Sequence, residues 1–228
     1  MHTLLSFFLV LLSLPLAAQD DCTRLFQWLS PNTTLTYTDY NRKGKEEGVS
    51  TMTVTALEPT AEGLEATLTI QYEDDEREAY NGGYQMLCTG DKILVDMTSM
   101  LSEEMLAGFG DVETQIEFDH LDIPATLTPG QRLQDGSLTM RATLSGGMAM
   151  TMNVRTENRQ VTGAETITTP AGTFDTHRIT YDQTVKMMMM NRSFRIVEYW
   201  NSEVGMVKSE LYNKNDKLMS SHVLTGRK

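Results

Sequence analysis

Methionine is the side chain whose abundance and spacing most strongly suggest a site. The sequence has sixteen, with Met148, Met150 and Met152 at alternate positions and a run of four from Met187 to Met190. Thioethers are soft ligands that suit Cu(I), they form pliable linings around varied ligands, and they also fill ordinary cores. No His or Cys lies within a few residues of either cluster to complete a ligand set. We therefore expect no metal and no cofactor.

A lining for an apolar ligand would draw on methionines and on two aromatic residues of a later strand. The candidates are Met140, Met148, Met150, Met152, Met187, Phe194 and Trp200. Met140 faces the other hairpin methionines across a predicted Ser145-Gly146-Gly147 turn, and alternate residues of a strand share one face. This pattern predicts a concave sheet that binds an apolar or amphipathic small molecule, or an envelope protein.

An acid and a histidine two positions apart form the best candidate for a catalytic pair. Asp175 and His177 would point to one face of a strand, and Tyr181 continues that face. A hydrolase would also need a nucleophile on a recognisable turn, and G-x-S-x-G does not occur. A hydrogen-bonded surface pair is the competing interpretation. We expect a non-enzymatic binding module, with an envelope hydrolase using Asp175 and His177 and a purely structural interaction module as alternatives.

The remaining acidic and histidine residues follow no metal or nucleotide pattern. Asp119, His120 and Asp122 could ligate a hard cation, but the calcium-loop pattern is absent. His120, His177 and His222 are not spaced as zinc ligands. Neither G-x-G-x-x-G nor a Walker motif occurs.

The chain begins with a segment typical of a secretory signal. Residues 4–18 are almost continuously apolar, and Ala17 and Ala18 precede a polar stretch. The run is shorter than the ~20 residues of a membrane-spanning helix, and no later run is long enough. The residues before Cys22 are not those of a lipoprotein signal. We predict a signal peptide at 1–19 and an exported chain at 20–228.

Charge and cysteine content narrow the partners and the compartment. A net charge of -12 argues against nucleic acid and against electrostatic docking on anionic lipid. Cys22 and Cys88 are the two cysteines, and in an oxidising compartment an isolated pair predicts a disulfide. The alternative, two thiols that bind a metal, lacks the C-x-x-C spacing.

The elements that would position these residues are short strands. Leu35, Tyr37 and Asp39 alternate with threonines, as expected of a half-buried antiparallel strand. Strands are predicted at 35–41, 48–57, 64–72, 84–88, 92–97, 114–120, 138–144, 148–156, 160–169, 174–187, 194–200, 206–212 and 218–224. Asn81-Gly82-Gly83 is predicted as a turn and 98–109 as a helix. The spacing predicts an all-β fold, a curved half-barrel or barrel of about twelve antiparallel strands with one or two short helices, in one domain.

Several segments together resemble the TapB-like exported proteins of Gram-negative bacteria, which belong to a wider set with a domain of unknown function. They are T-T-P-A-G-T-F-D-T-H-R-I at 168–179, E-Y-W at 198–200, V-G-M-V-K-S-E at 204–210, C-T-R-L-F-Q-W at 22–28, Y-N-R-K-G-K at 40–45 and L-D-I-P at 121–124. The resemblance implies a periplasmic or cell-envelope location and a barrel similar to the lipoprotein carriers of the periplasm, which hold acyl chains. It supplies no catalytic residues.

Overall fold

Antiparallel strands form nearly all of the fold. The computed structural model describes residues 22–74, 79–100, 114–143 and 149–228. Its strands are β1 (Thr34–Asn41), β2 (Glu46–Pro59), β3 (Leu64–Asp74), β4 (Ala79–Thr89), β5 (Lys92–Asp96), β6 (Thr114–Phe118), β7 (His120–Pro124), β8 (Gly136–Thr143), β9 (Ala149–Thr169), β10 (Gly172–Met187), β11 (Met190–Asn201), β12 (Gly205–Asn213) and β13 (Leu218–Arg227). The predicted all-β, antiparallel fold is confirmed.

One sheet contains all thirteen described strands. Its order is β6-β8-β9-β10-β11-β12-β13-β1-β2-β3-β4-β5-β7, and every neighbouring pair is antiparallel. The two edge strands, β6 and β7, are consecutive in the chain and are separated by Asp119 alone. The sheet therefore curls into a nearly closed barrel.

The seam of the barrel lies between β7 and β8. Asp119 N donates to the carbonyl oxygen of Ser137 at 2.8 Å, and its carboxylate accepts from the Ser137 amide at 2.8 Å. The buried guanidinium of Arg159 donates to the Asp122 carboxylate at 3.0 Å, to the Asp122 carbonyl at 2.9 Å and to the Gln134 carbonyl at 2.7 Å. Asp119 and Asp122, which the sequence offered as ligands for a hard cation, thus hold the seam.

A short N-terminal segment packs across one end of the barrel. Residues 22–25 form a helical turn, and the predicted disulfide joins Cys22 to Cys88 with their Cα atoms 6.0 Å apart. Phe26, Trp28 and Leu29 are buried in one apolar cluster with residues from the starts of β1, β3 and β12. Because these strand ends share one end of the barrel, the segment covers that end.

Two local predictions were wrong. Asn81-Gly82-Gly83 lies inside β4, not in a turn. At Gly83 a Cβ atom would lie 2.7 Å from the Leu68 carbonyl oxygen, so the glycine permits close approach of β3. The two strands predicted at 148–156 and 160–169 form the single strand β9, in which Asn158 adopts a positive φ of 60° and the pairing with β10 slips.

Other predictions fall partly or wholly outside the described residues. Of the helix predicted at 98–109, the structure describes a 3-10 helix at Met97–Met100. Residues 101–113, the Ser145-Gly146-Gly147 turn and the signal predicted at 1–19 are outside the described ranges. Within those ranges, the structure contains no helix long and apolar enough to cross a membrane.

Candidate functional site

The barrel contains a partly open cavity of about 620 Å³. Its wall is largely aromatic and aliphatic, and includes Trp28, Tyr37, Met52, Ile70, Tyr84 and Trp200. These side chains come from β1 to β4, from β11 and from the N-terminal segment. The alternation of β1 and β3 explains the lining, because every second side chain of these strands faces the interior.

A row of five polar residues and one glycine, here called the polar row, crosses six neighbouring strands on the cavity side. Successive cross-strand partners in this polar row are Glu198, Ser209, His222, Asp39, Gly48 and Asp74. Directly paired residues present their side chains on the same face of a sheet, and all of these except Ser209 and Gly48 line the cavity. The cavity is therefore mainly apolar, and the polar row forms an acidic band on its wall. This band contains three carboxylates and one imidazole.

Asp39 and His222 are paired within the polar row. His222 Nδ1 and Asp39 Oδ1 lie 2.7 Å apart, and the imidazole stacks on the Tyr37 ring with the centroids 4.5 Å apart. Tyr37 donates its hydroxyl to the Met206 carbonyl at 2.9 Å. Burial, and then the charge of Tyr84, raise the pKa of Tyr37 far above its usual value, so Tyr37 remains a neutral donor.

Glu198 is held by two neutral donors. The Tyr181 hydroxyl donates to Oε1 at 2.6 Å and the Trp200 indole donates to Oε2 at 2.7 Å. Burial, and then the charge of Glu198, raise the pKa of Tyr181 well above its usual value. The phenol therefore stays protonated, and each oxygen of the carboxylate has a fixed donor.

Two cavity-lining residues carry buried N–H groups without an acceptor. Trp28 and Arg159 are each 3% exposed, and in the part of the chain that the structure describes Trp28 Nε1 and Arg159 Nε have no hydrogen-bond partner. Nearly all buried polar groups in proteins are paired, and an unpaired one costs ~1–3 kcal/mol. Each of these atoms exposes less than 1 Å², so neither N–H is open to a molecule in the cavity.

Glycine makes room for the Trp28 ring. Gly205 has a φ of +79°, and a Cβ there would lie 3.2 Å from two carbons of the indole. The turn between β11 and β12 thus fixes one wall of the cavity, because a larger residue at Gly205 would be strained and would press on Trp28.

The predicted lining residues lie in two places. Trp200 is on the cavity wall. Most of the predicted methionines belong to a separate packed group, here called the methionine cluster, which consists of Met97, Leu121, Leu138, Met140, Met150, Met152 and Val154, with Ile116, Val185 and Met187 packed against it. Leu121 belongs to the cluster and also lines the cavity. Phe194 is half-buried on β11, and Met148 lies outside the described residues.

The Asp175 and His177 side chains lie beside a second, smaller cavity of about 180 Å³. The Asp175 carboxylate accepts from the Thr166 hydroxyl at 2.7 Å. His177 is the cross-strand partner of Trp200. Among the described contacts no hydrogen bond joins Asp175 to His177, so a hydrolase built on this pair remains a prediction.

Glu210 organises a polar group on the opposite face of β12 from Ser209. Its carboxylate contacts Lys208 Nζ at 2.6 Å and accepts from the hydroxyls of Tyr212 at 2.8 Å and Tyr199 at 3.3 Å. Burial opposes ionisation of Glu210, but the hydrogen bonds from Lys208, Tyr212 and Tyr199 outweigh it and hold the pKa below its usual value. Burial and Glu210 together raise the pKa of Tyr212 to about 12.

Sequence reasoning did not select four polar residues of the cavity: Asp39, Arg159, Glu198 and His222. For Asp39 a signal was present, because it continues the period-two face of Leu35 and Tyr37. Nothing local marks the others. Asp39 and His222 are 183 positions apart, and only the closure of the barrel brings them together.

The protein is an antiparallel β-barrel with an internal cavity large enough for a small molecule. The DUF3108-like family model matches residues 32–224. The chain therefore belongs to the DUF3108-like family. This agrees with the resemblance of its sequence to proteins that carry a domain of unknown function.

Two solved structures share the fold. One, from Bacteroides fragilis NCTC 9343, is described as an exported protein with a YmcC-like fold; the identity is 19%, the TM-score is 0.69, and the match covers 87% of this chain and 96% of that one. The other, from Parabacteroides distasonis ATCC 8503, is described as a lipoprotein; the identity is 21%, the TM-score is 0.71, and the coverage is 88% and 96%. No curated protein matches the chain.

Proposed function

We propose that this chain is an exported, non-enzymatic protein that binds an amphipathic molecule inside its barrel. The observation that carries the proposal is the cavity of about 620 Å³, which falls within the range of roughly 300–1,000 Å³ typical of small-molecule sites. Such sites are mainly apolar with a few fixed polar groups. The aromatic wall and the polar row match that description.

The proposed ligand has an apolar body and an uncharged polar group. The aromatic and aliphatic wall would bury the body, while the carboxylates of the polar row would accept hydrogen bonds from the hydroxyls of its polar group. The charge of Arg159 is already balanced by Asp122 at 3.0 Å. An anionic head group would meet the carboxylates of the polar row, so the cavity disfavours fatty acids.

Export is the second part of the proposal. The signal predicted at 1–19 and the descriptions of the two similar structures as exported protein and lipoprotein support it. We extend this to the periplasm or cell envelope of a Gram-negative bacterium and to the TapB-like group, on the segments quoted above. An envelope protein would be the receiving partner for a carried molecule.

The two tryptophans of the chain provide the assay, because both Trp28 and Trp200 line the cavity. Titration with the neutral amphiphile monolaurin is expected to shift and saturate the tryptophan emission. Ile70→Phe narrows the cavity and is expected to weaken binding about fivefold or more, the equivalent of ~1 kcal/mol. Met140→Leu, in the methionine cluster, is the matched control and should bind as wild type.

Two outcomes would contradict the proposal. One is no saturable change in emission with monolaurin, with dodecylamine or with laurate. The other is equal affinity of the wild type and the Ile70→Phe variant, which would place the probe outside the cavity. Tighter binding of laurate than of monolaurin would refute the uncharged head group while leaving the cavity as the site.

A further inference from the structure

Basic residues are segregated in this acidic protein. The chain carries a net charge of -12, yet residues 136–156 and 183–197 contain no Asp or Glu. These two stretches hold five basic residues, Arg141, Arg155, Lys186, Arg192 and Arg195. These two stretches are therefore positively charged although the chain as a whole is negatively charged.

The sheet brings the two basic stretches together. Thr184 pairs with Arg155, and Val185 pairs with Arg192, on the adjacent strands β9, β10 and β11. Arg141 is paired with Glu117 at 3.1 Å and Arg195 with Asp216 at 2.8 Å. Arg155, Lys186 and Arg192 are exposed, and within the described residues none of them has an acidic partner.

The same end of the sheet carries an exposed apolar turn. Met187–Met190, here called the methionine tip, joins β10 to β11; Met188 is 71% exposed, Met189 101% and Met190 41%. Met188 has a φ of +52°, which places it in the turn itself. Met187, by contrast, packs against the methionine cluster. Adjacent large apolar side chains that are exposed to solvent form an apolar patch, and such patches mark interaction surfaces.

We propose that the methionine tip and the three basic residues around it dock on an anionic lipid surface. Flexible, unbranched thioethers adapt to a disordered apolar phase, and Lys and Arg near the surface are attracted by anionic head groups. The acidic remainder of the chain would face away from the membrane.

The tip also connects to the cavity through apolar contacts. Met187 contacts the methionine cluster, and Leu121 belongs both to that cluster and to the cavity wall. A barrel docked through the tip would therefore have its apolar interior aligned with the lipid. The docking itself does not depend on the proposed ligand.

Vesicle flotation of the exported protein tests the proposal, after its N-terminus has been determined by mass. The protein is expected to float with vesicles that contain phosphatidylglycerol, to stay below with pure phosphatidylcholine, and to be released by high salt. Arg155→Gln, Lys186→Gln and Arg192→Gln are each expected to reduce binding about fivefold. Met188→Ser combined with Met189→Ser should abolish flotation.

A matched control uses the opposite end of the sheet. Arg227 and Lys228 are exposed where β13 ends, beside the start of β1, and Arg227→Gln with Lys228→Gln should float as wild type. Tip variants should keep the thermal transition and the monolaurin affinity of wild type, which separates this proposal from the cavity. The docking is refuted by flotation equal on both lipids, by flotation equal in tip and control variants, or by a tip-dependent dimer in sedimentation without vesicle binding.

Discussion

Arg159→Met is the substitution whose effect the structure defines most closely. The Arg159 side chain is 2% exposed, and its guanidinium bonds to the Asp122 carboxylate, the Asp122 carbonyl and the Gln134 carbonyl across the seam. Methionine replaces the aliphatic part of the side chain but removes all three bonds. The Asp122 carboxylate, 16% exposed, would keep only the Gln134 amide at 2.9 Å among its described donors.

The expected cost is large. Breaking a buried ion pair by removing one partner typically costs ~3–5 kcal/mol, because a charge is left uncompensated. A typical domain is stable by only about 5–15 kcal/mol, so this loss would be a large part of the stability of the barrel. Asp122→Asn added to Arg159→Met removes the stranded charge, and the double variant is expected to be more stable than the single one.

Urea denaturation followed by far-UV circular dichroism measures these differences. Arg178→Met is the control, because the Arg178–Glu165 pair spans 3.2 Å but is 39% and 40% exposed, and such pairs contribute ~0–1 kcal/mol. A loss below about 1 kcal/mol for Arg159→Met would refute the role of the seam. A double variant no more stable than the single one would show that the stranded carboxylate is not the cause.

Three further variants test separate parts of the structure. Cys22→Ser with Cys88→Ser opens a loop with a sequence separation of 66 and should lower the free energy of unfolding by about 4 kcal/mol, measured in urea without reductant. Because the pKa of Glu210 is depressed, the ionised carboxylate stabilises the folded protein at neutral pH, and this contribution is lost as the pH falls through that pKa. Glu210→Gln should therefore be less stable than wild type by up to ~1 kcal/mol at pH 7. The difference between the two proteins should vanish in acid. At Gly48 a Cβ atom would overlap the outer end of the Tyr72 side chain, so Gly48→Ala should displace that ring in the cavity wall and shift the tryptophan emission; an unchanged emission spectrum would contradict this packing.

The period-two pattern predicted the fold class because the cause is local. Leu35 and Tyr37 are 2% and 3% exposed, as expected for alternate residues of a strand that faces a core. The prediction of a turn at Asn81-Gly82-Gly83 was wrong for a reason that lies outside the local sequence. Glycine occurs in turns and also where two backbones approach closely. At Gly83 the approaching atom is the carbonyl oxygen of Leu68, which belongs to another strand.

The location of the cavity could not be predicted from local pattern either. The methionines of β8 and β9 alternate as expected, and Met140 and Met152 are paired and buried, but alternation does not say which stretch of the interior is filled and which is open. That depends on the curvature of the whole sheet. The polar row likewise combines six strands whose register is set only when the barrel closes.

The occupancy of the cavity is the most direct test of the account. Native mass spectrometry of the protein isolated from its own envelope, followed by organic extraction and mass analysis of the extract, reports whether a molecule is carried. The account predicts a bound amphipathic species with an uncharged polar group, which Ile70→Phe reduces and Met140→Leu preserves. A protein of bare polypeptide mass with a blank extract, and no saturable response of Trp28 and Trp200 to added monolaurin, would contradict it.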